Sequence, residues 1–345
     1  MNADEMYQLM KQKLERVVPD VELRIKAEIA VEINRLKNEK NAVILGHNYM
    51  EPALYYSISD FVGDSLELSR KAAQTDKDII IFCGVKFMAE TAKILSPNKT
   101  VLIPSSNAGC SLASSITAED VRALKQKFPG VPVVTYVNTY ADVKAESDIC
   151  CTSGNAVAVV ESLKTDTIIF LPDEYLAGNV ARETGRHIIF PSKGINGLKF
   201  DTTLDYQMIG WNGRCEVHEK FTVQDIQNVR EQFPDVVILT HPECSPEVVA
   251  ASDFSGSTTA MVRYVKETKA PQYLILTECS MGDNIAAENP DKEMLRLCSV
   301  RCPHMNTITM EDTLESLKQN RYVIDVPEDI RLRAYKAVER MISIG

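Results

Sequence analysis

The amino-acid sequence predicts an α/β protein built from three αβα units, related by a pseudo-threefold axis, with small parallel sheets around a central cavity. Two observations predict it. Cys110, Cys215 and Cys302 are each followed seven residues on by a threonine opening Thr-x-(Glu/Gln)-Asp, at Thr117, Thr222 and Thr309. A spacing repeated three times marks three copies of one structural unit. Short β-branched runs also alternate with helical stretches, the pattern of small parallel sheets covered by helices.

Each copy reads the same way. Thr117 and Thr222 are N-cap signals for helices over Glu119 to Lys127 and Gln224 to Gln232. Phe128-Pro129 and Phe233-Pro234, each 18 residues after its cysteine, end those helices. The apolar runs Val131–Val134 and Val236–Leu239 follow as buried strands. In the N-terminal third, the helix Arg24 to Lys37 leads into a strand over Ala42–Leu45. His47, Tyr136 and His241 thus stand at one strand-end level, with Tyr49, Asn138 and Glu243 two residues further on.

A second landmark follows. Asp60, Asp148 and Asp253 each precede by five residues a hydroxyl, at Ser65, Ser153 and Thr258. Helical stretches come next (Leu66 to Ala73, Ala156 to Leu163, Thr259 to Lys266), then further strands at Ile79–Phe82, Thr167–Leu171 and Tyr273–Leu276. In the first copy another strand, Thr100–Ile103, precedes the cysteine. From hydroxyl to next cysteine the spans are 45, 62 and 44 residues, so the middle copy carries about 17 extra. These fit best within Gly194 to Gly210, as a surface loop or flap. The expected division is residues 1–109, 110–214 (insert about 194–210), 215–301, and 302–345 as helices packing back on the first unit.

Bulk properties exclude several classes. A net charge of −10 argues against a nucleic-acid partner, and any anion site must be built locally. No run of about 18 apolar residues is present, so no membrane span is expected. Met1 to Arg16 is polar, without the apolar core of a secretory signal. With nine cysteines, the expected setting is a reducing cytoplasm, where thiols bind metal or do chemistry. No Gly-x-Gly-x-x-Gly follows the first strand, which speaks against a nicotinamide-dependent dehydrogenase.

In parallel sheets, the strand carboxyl ends and the loops after them form the crevice. All the repeated residues fall there. One thiolate per unit places three about one axis. A structural zinc wants four ligands, or three plus water when catalytic. Three thiolates suit a [4Fe-4S] cluster with one iron lacking a protein ligand, able to act as a Lewis acid. Taken singly, the same cysteines would read as small buried hydrophobes. Cys298, four residues before Cys302, reads either as a competing ligand or as a redox partner, and the repeat register favours Cys302 as the ligand. His47, His241, Tyr49, Tyr136, Asn138 and Glu243 form an acid–base and hydrogen-bonding set. Ser65, Ser153 and Thr258 read as a cradle for carboxylate or phosphate, each alone being equally a plain N-cap. His218, three residues after Cys215, is placed to reach the same cavity.

These residues resemble the quinolinate synthase family. The resemblance runs over nearly the whole chain and rests on Gly46-His47-Asn48-Tyr49, Gly63-Asp64-Ser65-Leu66-Glu67-Leu68 and Gly84-Val85-Lys86-Phe87-Met88. It continues through Tyr136-Val137-Asn138, Thr152-Ser153-Gly154-Asn155-Ala156, Cys215-Glu216-Val217-His218, His241-Pro242-Glu243-Cys244 and Cys302-Pro303-His304-Met305. It implies a [4Fe-4S] cluster held by Cys110, Cys215 and Cys302. It also implies condensation of iminosuccinate with dihydroxyacetone phosphate to quinolinate, losing phosphate and two waters, with an L-aspartate oxidase or dehydrogenase as the supplier of iminosuccinate. His47, Ser65, Tyr136, Val137, Asn138, Ser153, His241, Pro242, Glu243 and Thr258 carry over as substrate-binding residues. Tyr49 and Glu243 carry over as the proton-transfer residues, within a catalytic set that includes His47, Tyr136 and His241. The insert near Gly194 to Gly210 departs from the family pattern and leaves the lid there, with any part Lys193 plays in it, open. The competing reading is an aconitase-like iron–sulfur hydro-lyase acting on another small dicarboxylate, which needs no phosphate site.

Overall fold

The computed structural model describes residues 1–194, 197–297 and 300–345, without side chains at 193–194 and 197–198. Cys298 and the Lys193 side chain therefore lie outside the described residues, as does part of the expected insert.

Three parallel sheets organise the chain. The first unit contributes β1 (Ala42–His47), β2 (Phe61–Gly63), β3 (Ile79–Cys83) and β4 (Thr100–Leu102). The second contributes β5 (Val133–Tyr136), β6 (Ile149–Cys151), β7 (Ile168–Leu171), β8 (Ile188–Ile189), β9 (Ser192–Gly194), β10 (Gly197–Lys199) and β11 (Met208–Ile209). The third contributes β12 (Val237–Thr240), β13 (Phe254–Ser255), β14 (Gln272–Leu276) and β15 (Glu293–Leu295). Strand orders are β2-β1-β3-β4, β6-β5-β7-β11-β8 and β13-β12-β14-β15. The same layout thus recurs three times, with β8 added at the edge of the middle sheet. β9 and β10 form a separate antiparallel hairpin. The extra length of the middle copy therefore includes β8 and this hairpin. β11, within the expected insert, takes the place that β4 and β15 hold in the other units.

The repeated residues have local structural causes. Thr117 and Thr222 close capping boxes with Asp120 and Asp225, and Thr309 accepts from the Asp312 amide at 3.0 Å. Each cysteine precedes a short 3₁₀ turn, at Ala113–Ser115, His218–Lys220 and Met305–Thr307. The aspartates of the second landmark are latches. Asp60, Asp148 and Asp253 each accept from a central-strand amide, of Ile44, Val133 and Ile238, at 2.8 Å. Each also donates its own amide to the carbonyl of that residue. The latch docks the short edge strand that carries the hydroxyl loop.

The central strands are buried on both faces, as their continuous apolar runs predict. One large core joins the first two units and the helices after Cys302, and the third unit carries two smaller ones. The helix Met310–Gln319 packs on the helix Asp20–Glu39, in the first unit. The helix Glu328–Ile342 lies across β6 and the helices Ala141–Ala145 and Lys86–Leu95, so it spans the first and second units.

Candidate active site and metal centre

His47 ends β1, Tyr136 ends β5, and His241 follows the last residue of β12. All three line one cavity, with Tyr49, Asn138 and Glu243 two residues on. Cys110, Cys215 and Cys302 line it too, as do Ser65, Ser153 and Thr258. Val137 and Pro242 do not line it. The Val137 amide donates to Cys151, and the Pro242 carbonyl accepts from Asn179.

The three sulfurs share one local geometry. Backbone N–H groups two and three residues on, at the opening of each 3₁₀ turn, donate to them: Leu112 and Ala113, Val217 and His218, His304 and Met305. The Ala113 and Met305 amides lie 3.5 Å from their sulfurs. Cys302 acts electrostatically on Cys110, and Cys110 on Cys215. Burial pushes the Cys110 thiol up to about 12, Cys302 to about 11, and Cys215 well above its usual range. Such desolvated sulfurs become thiolates when a metal cation supplies the compensating charge. Cys215, His218 and Glu243 also bring their donor atoms within 4.8 Å of one another. The donor set therefore fits a metal centre in the lining of the cavity.

Beside the sulfurs runs a chain of polar contacts. The Tyr49 hydroxyl lies 2.6 Å from Thr277 Oγ1, which lies 2.8 Å from His218 Nε2. His218 Nδ1 lies 2.6 Å from Glu243 Oε2. Asn138 donates to the other Glu243 oxygen at 3.0 Å, and the Tyr136 hydroxyl also bonds this carboxylate. Burial works to raise the Glu243 carboxyl, but His218, His241 and Tyr136 outweigh it and hold it low, at about 2. Asp173, buried behind, is pushed well up by burial and by the Glu243 charge. Of this pair, Glu243 carries the negative charge. With the His218 ring proton on Nδ1, facing the carboxylate, Nε2 accepts from Thr277, whose oxygen accepts from Tyr49. A proton path then links a cavity-lining phenol to a buried carboxylate.

The two strand-end histidines are held alike. The Tyr49 amide donates to His47 Nδ1 at 3.2 Å, and the Glu243 amide to His241 Nδ1 at 3.3 Å. That leaves Nε2–H as the free donor on each ring. Burial lowers both rings to about 3, so they are neutral donors. Burial first, then Glu243, pushes the Tyr49 and Tyr136 phenols well up, so they keep their protons.

The hydroxyl residues are not the caps of their helices. Asp64 caps the helix Ser65–Gln74, and Ser257 caps Thr258–Glu267. The Ser65 side chain is thereby free of cap duty. Thr258 accepts from Asn48 at 2.9 Å, which ties the third unit to the first. Lys86 is half exposed and faces Glu90 at 3.7 Å. Val85, Phe87 and Met88 supply an apolar wall. Sequence reasoning missed Thr277, which ends the apolar run of β14.

A family model described as quinolinate synthetase A protein matches residues 31–343. The chain is 52% identical over 332 residues to quinolinate synthase 2 of Mesorhizobium japonicum, covering 96% of each protein. It is 50% identical to the quinolinate synthase of Caulobacter vibrioides over 96% of this chain and 86% of that one. Against that of Agrobacterium fabrum the identity is 50%, over 96% of this chain and 90% of the relative. Three parallel-sheet units, a match along most of the chain and relatives about half identical throughout converge on one assignment: the chain belongs to the quinolinate synthase family, enzymes of NAD biosynthesis.

Proposed function

We propose that the chain condenses iminosuccinate with dihydroxyacetone phosphate to quinolinate, releasing one phosphate and two waters. The observation that carries this reading is the meeting of the three cysteines, the Tyr49–Thr277–His218–Glu243 path and the hydroxyls of Ser65, Ser153 and Thr258 at one cavity.

Cys110, Cys215 and Cys302 would hold a [4Fe-4S] cluster, each sulfur steadied by its pair of backbone N–H donors. When bound, a cluster with one iron lacking a protein ligand supplies a Lewis acid for an oxygen-bearing substrate group. Ser65, Ser153 and Thr258, with the helix starts around them, bind the phosphate and carboxylates. His47 and His241 donate from Nε2 and orient the carboxylates without adding charge. Tyr136 and Asn138 hold Glu243 and present its carboxylate to the cavity. Tyr49 and Glu243 move protons during isomerisation, ring closure and the two dehydrations. The apolar wall excludes water from the reacting face. An L-aspartate oxidase or dehydrogenase is the class of enzyme that would supply iminosuccinate. Among the described residues no helix is long and apolar enough to cross a membrane, and a cytoplasmic site of action accords with the cysteine content.

The test is anaerobic reconstitution with iron and sulfide, followed by turnover of both substrates. Quinolinate and inorganic phosphate should appear in equal amounts. Turnover of a small dicarboxylate with no phosphate released would favour a hydro-lyase instead.

A further inference from the structure

Residues 341–345 tie two of the hydroxyl loops together. Asn155 lies two residues after Ser153 and is only 3% exposed. Its Nδ2 donates to the carbonyls of Met341 at 3.0 Å and Ile344 at 2.9 Å. Its Oδ1 accepts from the Thr152 amide at 2.8 Å and the Thr152 hydroxyl at 3.2 Å. Every hydrogen-bonding position of this amide is thus used, one end on the loop and the other on residues 341–345.

Arg70 grips the same segment from the first unit. It belongs to the helix Ser65–Gln74, which opens on the cavity at Ser65. Its Nε donates to Ile342 at 3.0 Å, and its Nη2 to Ile344 at 3.1 Å and Gly345 at 2.8 Å. The Ile344 carbonyl therefore accepts from both units at once. These are charge-assisted bonds on the Arg70 side and buried bonds on the Asn155 side, the stronger kinds.

The third hydroxyl loop is tied differently. Asn48 donates to Thr258, and Thr259 donates to Glu67 at 2.8 Å while accepting from the Asp64 amide at 3.2 Å. The first and third loops therefore bond directly. Among the described residues, no hydrogen bond joins 64–70 directly to 152–156, and the two meet through 341–345.

We propose that residues 341–345, gripped by Arg70 and Asn155, form a positioning clasp that sets the spacing of the Ser65 and Ser153 loops and thereby the affinity for the phosphate-bearing substrate. The clasp rests on the reading of those hydroxyls as the anion cradle. Neither Arg70 nor Asn155 lines the cavity, so the clasp acts through the loops it spaces.

The test uses the reconstituted holoenzyme and two variants. Asn155→Asp keeps the acceptor for Thr152 and replaces the two donors with an oxygen facing carbonyls. Arg70→Gln removes the guanidinium at a partly exposed site, so it is measurable even where Asn155→Asp fails to fold. Each variant should raise the KM for dihydroxyacetone phosphate about tenfold, with kcat within about twofold. Iron content per chain and cluster absorbance should stay at the wild-type level. Because both residues act through Ile344, the double variant should fall short of the product of the two single effects. An unchanged KM for dihydroxyacetone phosphate would overturn the clasp, and so would a rise matched by loss of kcat or iron. Ser65→Ala and Ser153→Ala separate the two layers. If they leave that KM unchanged, the cradle reading itself fails. If they raise it while Arg70→Gln and Asn155→Asp do not, the clasp alone fails.

Discussion

Tyr49 is held from behind by Thr277, and the same hydroxyl holds His218. Thr277→Val keeps the shape and removes both bonds. The expected outcome is a kcat loss of about ten- to a hundredfold with little change in KM, since the hydroxyl serves proton movement rather than binding. Glu243→Gln and Tyr49→Phe should lose about a hundredfold or more in kcat with the metal centre intact, checked by steady-state assay beside iron content. Thr277 was not legible in the sequence for a physical reason. By strand register it corresponds to Gly84 and Pro172, neither of which carries a hydroxyl. A threefold repeat reveals equivalent residues and is silent about one that breaks the symmetry. His218, by contrast, announced itself by lying three residues from Cys215. The histidines carry a pH signature as well. His47 and His241 titrate at about 3 when folded, against an ordinary 6.5. The unfolded chain therefore binds more protons between those values, and stability falls as pH drops from about 6.5 towards 3. Denaturant midpoints of the metal-free protein, followed across that window, should show this slope. His47→Gln should make it shallower.

At the scale of elements, the repeat was legible because each landmark has a mechanical cause that recurs. The caps, the cysteine turns and the aspartate latches are local interactions, set by residues a few positions apart or on adjoining strands. The edge strands β2, β6 and β13 were harder to see, being two or three residues long. What holds them is the latch rather than any apolar run. Asp148→Ala leaves the Val133 amide without its side-chain acceptor and should cost about 1–3 kcal/mol, measured by denaturant unfolding. Asp253→Ala should cost a similar amount, since its geometry is the same. A larger effect belongs to Gly213, two residues before Cys215. Its amide donates to the Pro172 carbonyl at 3.0 Å, and its carbonyl accepts from the Glu174 amide at 2.7 Å. A Cβ there would stand 2.6 Å from that Pro172 oxygen and closer still to Ser115 Oγ. Gly213→Ala must therefore shift backbone at the entry to Cys215, and it should lower iron content together with stability.

At the scale of the molecule, the three sulfurs come from different parts of the chain: Cys110 lies between β4 and β5, Cys215 between β11 and β12, and Cys302 between β15 and the helices that pack on the first two units. The unfolded chain brings these sulfurs to no common point, so a metal held by them would add directly to the stability of the assembled units. A site with two of its three sulfurs is not two-thirds of a site, because the remaining thiols are desolvated and lack the charge that would make them thiolates. The stabilisation should therefore vanish whichever sulfur is removed. Anaerobic calorimetry with and without reconstitution should give a wild-type Tm well above that of the metal-free protein. Cys110→Ser, Cys215→Ser and Cys302→Ser should each show no such rise. Their metal-free stabilities should lie within about 1 kcal/mol of the metal-free wild type, since serine is nearly isosteric and few bonds to the sulfurs are lost. If Cys302→Ser alone kept the full rise, the third ligand would be another thiol, and Cys298, four residues upstream, is the one the chain places nearest in sequence.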